Sequence, residues 1–142
     1  MRAAPGRTYR VRVISYEWRG PVTNDELNAL HAEAFGHEVL DEDWRGQLTR
    51  HSVGWVCARD SGALAGFVNV PGDGGTHAFI LDTMVAKAAR HRGIGTRLVA
   101  VAAENARAAG CEWLHVDFTP DLRGFYLDGC GFRATDAGLI AL

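Results

Sequence analysis

A mixed α/β domain, with a mostly antiparallel central sheet flanked by helices, is the fold class this sequence predicts, on three observations. Strand-like segments separated by turn chemistry follow one another from Val53 to Val85, the pattern of an antiparallel meander. An alanine-rich amphipathic stretch over 94–109 comes next, the pattern of a helix laid on a sheet. A further strand-like segment, Trp113 to Phe118, then completes a strand–helix–strand unit, which places its strands parallel through a right-handed crossover.

The elements read in order as follows. Residues 1–7 form a loose tail, and 8–142 a single domain. Tyr9-Arg10-Val11-Arg12-Val13 alternates large and charged residues, the period of a half-buried strand. Thr23 or Asn24 caps a helix whose apolar positions Leu27, Leu30 and Ala34 lie three or four apart. A second short helix follows Asp41 and carries Trp44 and Leu48, with an acidic patch of Glu38, Asp41, Glu42 and Asp43 between the two. Val53–Arg59 and Leu64–Val70 pair as a hairpin across Asp60-Ser61-Gly62. The turn Pro71-Gly72-Asp73-Gly74-Gly75 leads into a strand over 76–85. In the long helix Ile94, Leu98, Val101 and Ala102 make the inner stripe, and Gly110 ends it. Pro120 opens a short helix with Phe125, Tyr126 and Leu127, stopped by Gly129-Cys130-Gly131 and followed by a final strand.

Composition excludes several classes. With 15 Lys+Arg against 17 Asp+Glu the formal charge is -2, so no strong positive field exists to neutralise nucleic-acid phosphates. No run approaches the roughly 18 apolar residues of a membrane span, and Met1 to Arg7 lacks the apolar core of a signal peptide. Cys57, Cys111 and Cys130 are odd in number and widely spaced, which predicts reduced thiols and a cytoplasmic setting. His31, His37, His51 and His91 show no metal-ligand spacing and read as surface histidines. Trp18, Trp44 and Trp55 read as core or cleft-lining residues.

The stretch that carries chemistry is Val85-Ala86-Lys87-Ala88-Ala89-Arg90-His91-Arg92-Gly93-Ile94-Gly95-Thr96. It leaves a strand, passes two glycines and enters a helix. The first turn of a helix leaves backbone N–H groups unpaired at the positive end of the macrodipole, a setting for phosphate. The string G-x-x-x-x-G-K-[ST] does not occur. Leu98 stands where the third glycine of G-x-G-x-x-G belongs.

Arg90-x-x-Gly93-x-Gly95 resembles instead the [RQ]-x-x-G-x-[GA] motif of the GNAT family of N-acetyltransferases, and Phe125-Tyr126-Leu127-Asp128-Gly129-Cys130-Gly131-Phe132 resembles the family's F-Y-x-x-x-G-F signature with one residue more before Gly131. The resemblance is strong over about 76–133 and topological over 8–75. It implies an acetyl-CoA co-substrate, no metal, and direct transfer of acetyl to a primary amine, favouring a small-molecule acceptor. The backbone of Met84, Val85 and Lys87 would pair with the pantetheine arm. Arg90 and Arg92 would supply charge, and the amides from Arg92 through Gly93, Ile94, Gly95 and Thr96 would hold the pyrophosphate. The strand ending at Val85 and the strand 113–118 would splay to admit the thioester. Tyr126 would be the general acid for the leaving thiolate.

The base is open, because Leu81 and Phe79 occupy the positions where relatives often carry Glu or His. His115, Asp82 and Asp117 are the remaining candidates, with a water chain and no dedicated base as the alternative, and parity turns Asp82 away from Leu81 unless a bulge intervenes. Thr119-Pro120-Asp121 replaces the Asn that many relatives place after the later strand, so no cofactor contact carries over there. A non-catalytic acyl-CoA-binding module and a protein amine acetyltransferase are the alternative readings. The resemblance also leaves a homodimer open.

Overall fold

The computed structural model describes residues 13–142. The expected tail 1–7 and residues 9–12 of the expected first strand lie outside the described residues. Val13 precedes rather than joins the first strand, β1 (Ile14–Trp18). Helices α1 (Asn24–Phe35) and α2 (Trp44–His51) follow, then β2 (Ser52–Asp60) and β3 (Ala63–Pro71). After β4 (His77–Phe79) and β5 (Leu81–Val85) come α3 (Ile94–Ala108) and β6 (Trp113–His115).

Four strands form an antiparallel sheet in the order β1-β2-β3-β5, and β4 pairs with β6 in parallel. The expected single strand over 76–85 is thus two strands, broken at Ile80 and belonging to two sheets. Ile80 still donates its N–H to the His115 carbonyl at 2.8 Å. Beyond that point β5 turns to β3, and the two sheets part. Strand β6 is shorter than expected, ending at His115, and residues 130–142 hold no helix or strand where a final strand was expected.

Local chemistry explains the helices. Thr23 accepts from the Glu26 N–H while Glu26 accepts from the Thr23 N–H, a capping box that starts α1. Asp43 caps α2 by accepting from the Gly46 N–H. The side chain of Asn28, buried on α1, bonds the backbone N–H and carbonyl of Glu42 and accepts from Trp44 Nε1, locking the helices together. Trp44 is core, whereas Trp55 is half-buried and donates to the Gly20 carbonyl.

Each face of the sheet carries its own core. Val56, Ala58, Val68 and Val70 meet Ile94, Leu98, Val101 and Ala102 of α3. Cys57, Phe67 and Met84 meet Leu27 and Leu30 of α1 and Trp44 and Leu48 of α2. Fully burying each large aliphatic side chain contributes about 1.5–3 kcal/mol, so the α3 stripe predicted from periodicity is a main support of the fold. No described helix is long and apolar enough to cross a membrane.

Candidate active site

The turn between β5 and α3 is built for close approach to backbone. A short 3-10 turn, Lys87–Ala89, carries the chain to Arg90, and Gly93 then adopts φ 73° as the N-cap of α3. This left-handed conformation suits glycine, and a Cβ built there would meet nothing within 4 Å. Among the described residues no side chain caps α3, and no acidic residue lies in its first turn. The amides of Ile94, Gly95 and Thr96 therefore point from a positive helix end without a competing anion. Gly95 plays a different part from its neighbour: a Cβ there would come within 3.1 Å of the Phe125 ring. It lets the segment bearing Tyr126 pack against α3.

Arg92 donates to Asp60 at 3.1 Å, tying the turn to the β2–β3 hairpin. Arg90 and Lys87 are exposed. Among the described residues β5 is the outer strand of its sheet, so one backbone edge running into the turn is open for an added strand-like chain.

Tyr126 lies in a π-helical turn, Gly124–Gly129, preceded by a 3-10 turn at Pro120–Leu122, where the sequence predicted one short helix. Its ring stacks on Phe118 at 5.2 Å and meets Phe125 edge-on at 4.7 Å, and the residue is only 6% exposed. The hydroxyl donates to Thr83 Oγ1 of β5 at 3.1 Å. Burial pushes its pKa above the ordinary tyrosine range, against a smaller opposing effect of Thr83. The phenol therefore stays protonated through neutral pH. Thr83 was missed by sequence reasoning, although its period-2 spacing from Val85 was a usable signal.

Asp82 faces the other way. Leu81 pairs with Asn69 and Met84 with Phe67, so Asp82 and Thr83 share the space opposite one residue of β3. Asp82 takes φ 55° within this bulge, a left-handed conformation that costs energy for a non-glycine residue. The bulge turns its carboxylate toward α1, where Oδ1 lies 3.7 Å from His31 Nε2. Burial raises the Asp82 pKa, while His31 and the Asn69 side chain favour the charged form. Asn69 is fully buried, and its Nδ2 makes no hydrogen bond of ordinary length among the described residues.

His31 and His37, expected as surface histidines, are linked to each other: His31 Nδ1 is 2.6 Å from His37 Nε2. His115 Nε2 is 2.7 Å from His77 Nδ1, and its ring stacks on Phe79. These two residues turn away from α3, since Ala78 and Leu114 fill that side. Asp117 lies beyond β6, exposed, with its charge acting weakly on the Tyr126 hydroxyl. The structure thus joins Tyr126 to β5 through Thr83 and joins Asp82 to His31, while His115 belongs to a separate pair. An open cavity lined by Arg19, Arg45, Trp55 and Arg59 lies between α2, β2 and the start of α1, apart from the α3 turn.

Comparison with known proteins bears on this geometry. The model of the acetyltransferase (GNAT) family matches residues 17–132. A probable glucosamine 6-phosphate N-acetyltransferase 2 from Oryza sativa subsp. japonica is 44% identical over 59 residues, 42% of this chain and 35% of the relative. The chain therefore aligns with about a third of that relative's length. A GNAT family protein from Streptococcus pneumoniae TIGR4 superposes with a TM-score of 0.71 at 24% identity, covering 92% of this chain and 98% of the other. An aminoglycoside N-acetyltransferase solved in complex with CoA superposes at 0.76 with 16% identity, covering 95% and 97%. These superpositions establish the shared fold. With a family model spanning most of its length, the chain belongs to the GNAT acetyltransferase family.

Proposed function

We propose that the protein is an acetyl-CoA-dependent N-acetyltransferase that moves acetyl directly to the primary amine of a small molecule. The observation that supports it most is a continuous path: the uncapped α3 turn behind Gly93, the open edge of β5, and the Tyr126 hydroxyl held on Thr83 of that strand. The amides of Ile94, Gly95 and Thr96 would hold the diphosphate, with Arg90 adding charge. The backbone edge of Met84, Val85 and Lys87 would order the pantetheine.

When bound, acetyl-CoA supplies an activated acyl carbon whose C–N bond to the amine forms as its C–S bond breaks. Tyr126 gives its proton to the departing sulfur, with Thr83 Oγ1 setting the direction of the phenol. A strand N–H beside the splay would polarise the carbonyl oxygen. An alkylammonium acceptor sheds two protons over the reaction, one ending on sulfur through Tyr126 and one leaving to solvent. The exposed carboxylates Glu38, Asp41 and Glu42 in the α1–α2 connection would draw a cationic amine to that side. Asp43 is instead occupied in capping α2.

Small-molecule acceptors are favoured by the relatives, whose names refer to glucosamine 6-phosphate and aminoglycosides. Release of CoA from acetyl-CoA, measured over a panel of amino sugars, aminoglycosides, polyamines and peptide amines, tests the reading. Turnover restricted to one or more small amines is the expected result. Acetyl-CoA binding without turnover on any acceptor would contradict it and favour a non-catalytic acyl-CoA module.

A further inference from the structure

On the α1 side of β5 the Asp82 carboxylate lies beside a hydrogen-bonded pair, His31 and His37, whose proton count follows from its geometry. His37 Nδ1 lies 2.5 Å from the Glu38 carbonyl, which can only accept, so Nδ1 carries a proton. If His37 is neutral, its Nε2 is an acceptor and takes a hydrogen bond from His31 Nδ1 at 2.6 Å. If His31 is neutral as well, its Nε2 is bare. That bare nitrogen faces the Asp82 carboxylate at 3.7 Å, two acceptors with no proton between them. One added proton relieves this arrangement. It can enter at His31 Nε2 beside Asp82, and a shift of the Nδ1 proton to His37 Nε2 then moves the charge one ring outward.

Sequence-distant parts converge to build this chain. Gly36 adopts φ 70° after α1, and both Gly36 and His37 donate to the Ala32 carbonyl, which folds His37 back over His31. His31 packs between the Phe35 ring at 4.6 Å and the Trp44 ring at 5.5 Å. The bulge in β5 aims Asp82 at it. Asn69 approaches from β3, and its buried side chain favours the charged form of Asp82. The titratable groups in contact along the chain are Asp82 from β5 and the two histidines. Glu38, Asp41 and Glu42 add exposed negative charge from the adjoining connection. Asp82 and His31 each keep about a quarter of their side chain exposed to solvent (24% and 27%), and His37 is exposed.

We propose that Asp82 and His31 take the proton shed by the acceptor amine at His31 Nε2, that His37 shares the charge through its bond to His31 Nδ1, and that the proton leaves to solvent from His31 Nε2 once the product departs, which restores the starting tautomers. This rests on the acetyl-transfer reading and supplies the base that Leu81 and Phe79 cannot. Burial, which raises the Asp82 pKa, keeps the pair receptive to that proton.

Two measurements on the full chain test it. In wild-type protein, imidazole nitrogen NMR across a pH titration should show His37 as the Nδ1–H tautomer and His31 gaining its proton at Nε2. That titration should shift in Asp82→Asn. A neutral His31 found as the Nε2–H tautomer, or one indifferent to Asp82→Asn, would overturn the chain. In steady-state kinetics, His31→Gln should lower kcat by about 100-fold at neutral pH, with the acetyl-CoA KM within about twofold and the acidic limb of the kcat profile displaced. A packing role alone would leave that limb in place. An active wild type with unchanged kcat and pH profile in His31→Gln overturns the relay alone. A wild type that turns over no amine overturns the transfer reading and the relay together.

Discussion

The two faces of β5 receive opposite chemistry from adjacent residues. Thr83 points to the α3 side and holds a buried phenol that keeps its proton. Asp82, its neighbour, points to the α1 side and lies beside the linked pair His31 and His37. A regular strand would also send neighbours to opposite faces, but parity alone would leave Asp82 facing away from Leu81. The bulge adds one residue, so that Leu81 and Asp82 both belong to the α1 side while Thr83 and Val85 stay with α3. The proposed acid and the proposed base are thus separated by the thickness of one strand. An amine entering from the α1 side and a thiolate leaving on the α3 side would each meet the group that it needs.

The largest expected effect breaks the anchor that both faces share. Gly93→Glu puts a β-carbon on a left-handed backbone and a negative charge at the helix end. Like charges about 4 Å apart cost about 4 kcal/mol at an effective protein dielectric of 20. Calorimetry should therefore show acetyl-CoA affinity reduced by about 100-fold or more, while the His31 titration stays as in wild type. Next, Tyr126→Phe removes the proposed acid from one face only. It should lower kcat by about 100-fold, leave acetyl-CoA affinity near normal, and preserve the acidic limb of the rate profile. Loss of that limb would show that the faces are not independent. Because its folded pKa is raised, Tyr126 stays protonated up to its ordinary range and loses its proton only above it, so wild-type activity should not fall through Tyr126 ionisation until alkaline pH. The smallest effect belongs to Thr83→Val, which keeps shape and removes the acceptor of the phenol. A drop of about fivefold in kcat is expected from a lost orienting bond of about 1 kcal/mol, with a melting temperature lower by a few degrees because the buried phenol loses its acceptor.

Much of the α3 side was legible in the sequence, and little of the α1 side was. The stripe Ile94, Leu98, Val101 and Ala102 and the Gly93 turn lie within one continuous stretch, where periodicity and backbone chemistry act locally. Tyr126 followed from a local motif, although its π-helical setting did not. The run from His77 to Val85 gives no local sign of the break at Ile80 or of the bulge at Asp82, since both arise from competition between β3 and β6 for one strand. The pairing of His31 with His37 depends on the left-handed turn at Gly36. His31 did carry a trace, four residues beyond Leu27 on the inner stripe of α1. The expected final strand is absent for a related reason: a strand needs a partner edge, and residues 130–142 pair with none of the described strands.

Amide chemical-shift mapping of the full chain with CoA tests the central claim most directly. The account predicts the largest perturbations at Gly93, Ile94, Gly95 and Thr96 and along β5 from Thr83 to Lys87. No perturbation there, or shifts confined to the cavity beside Arg19, Arg45 and Trp55, would contradict it.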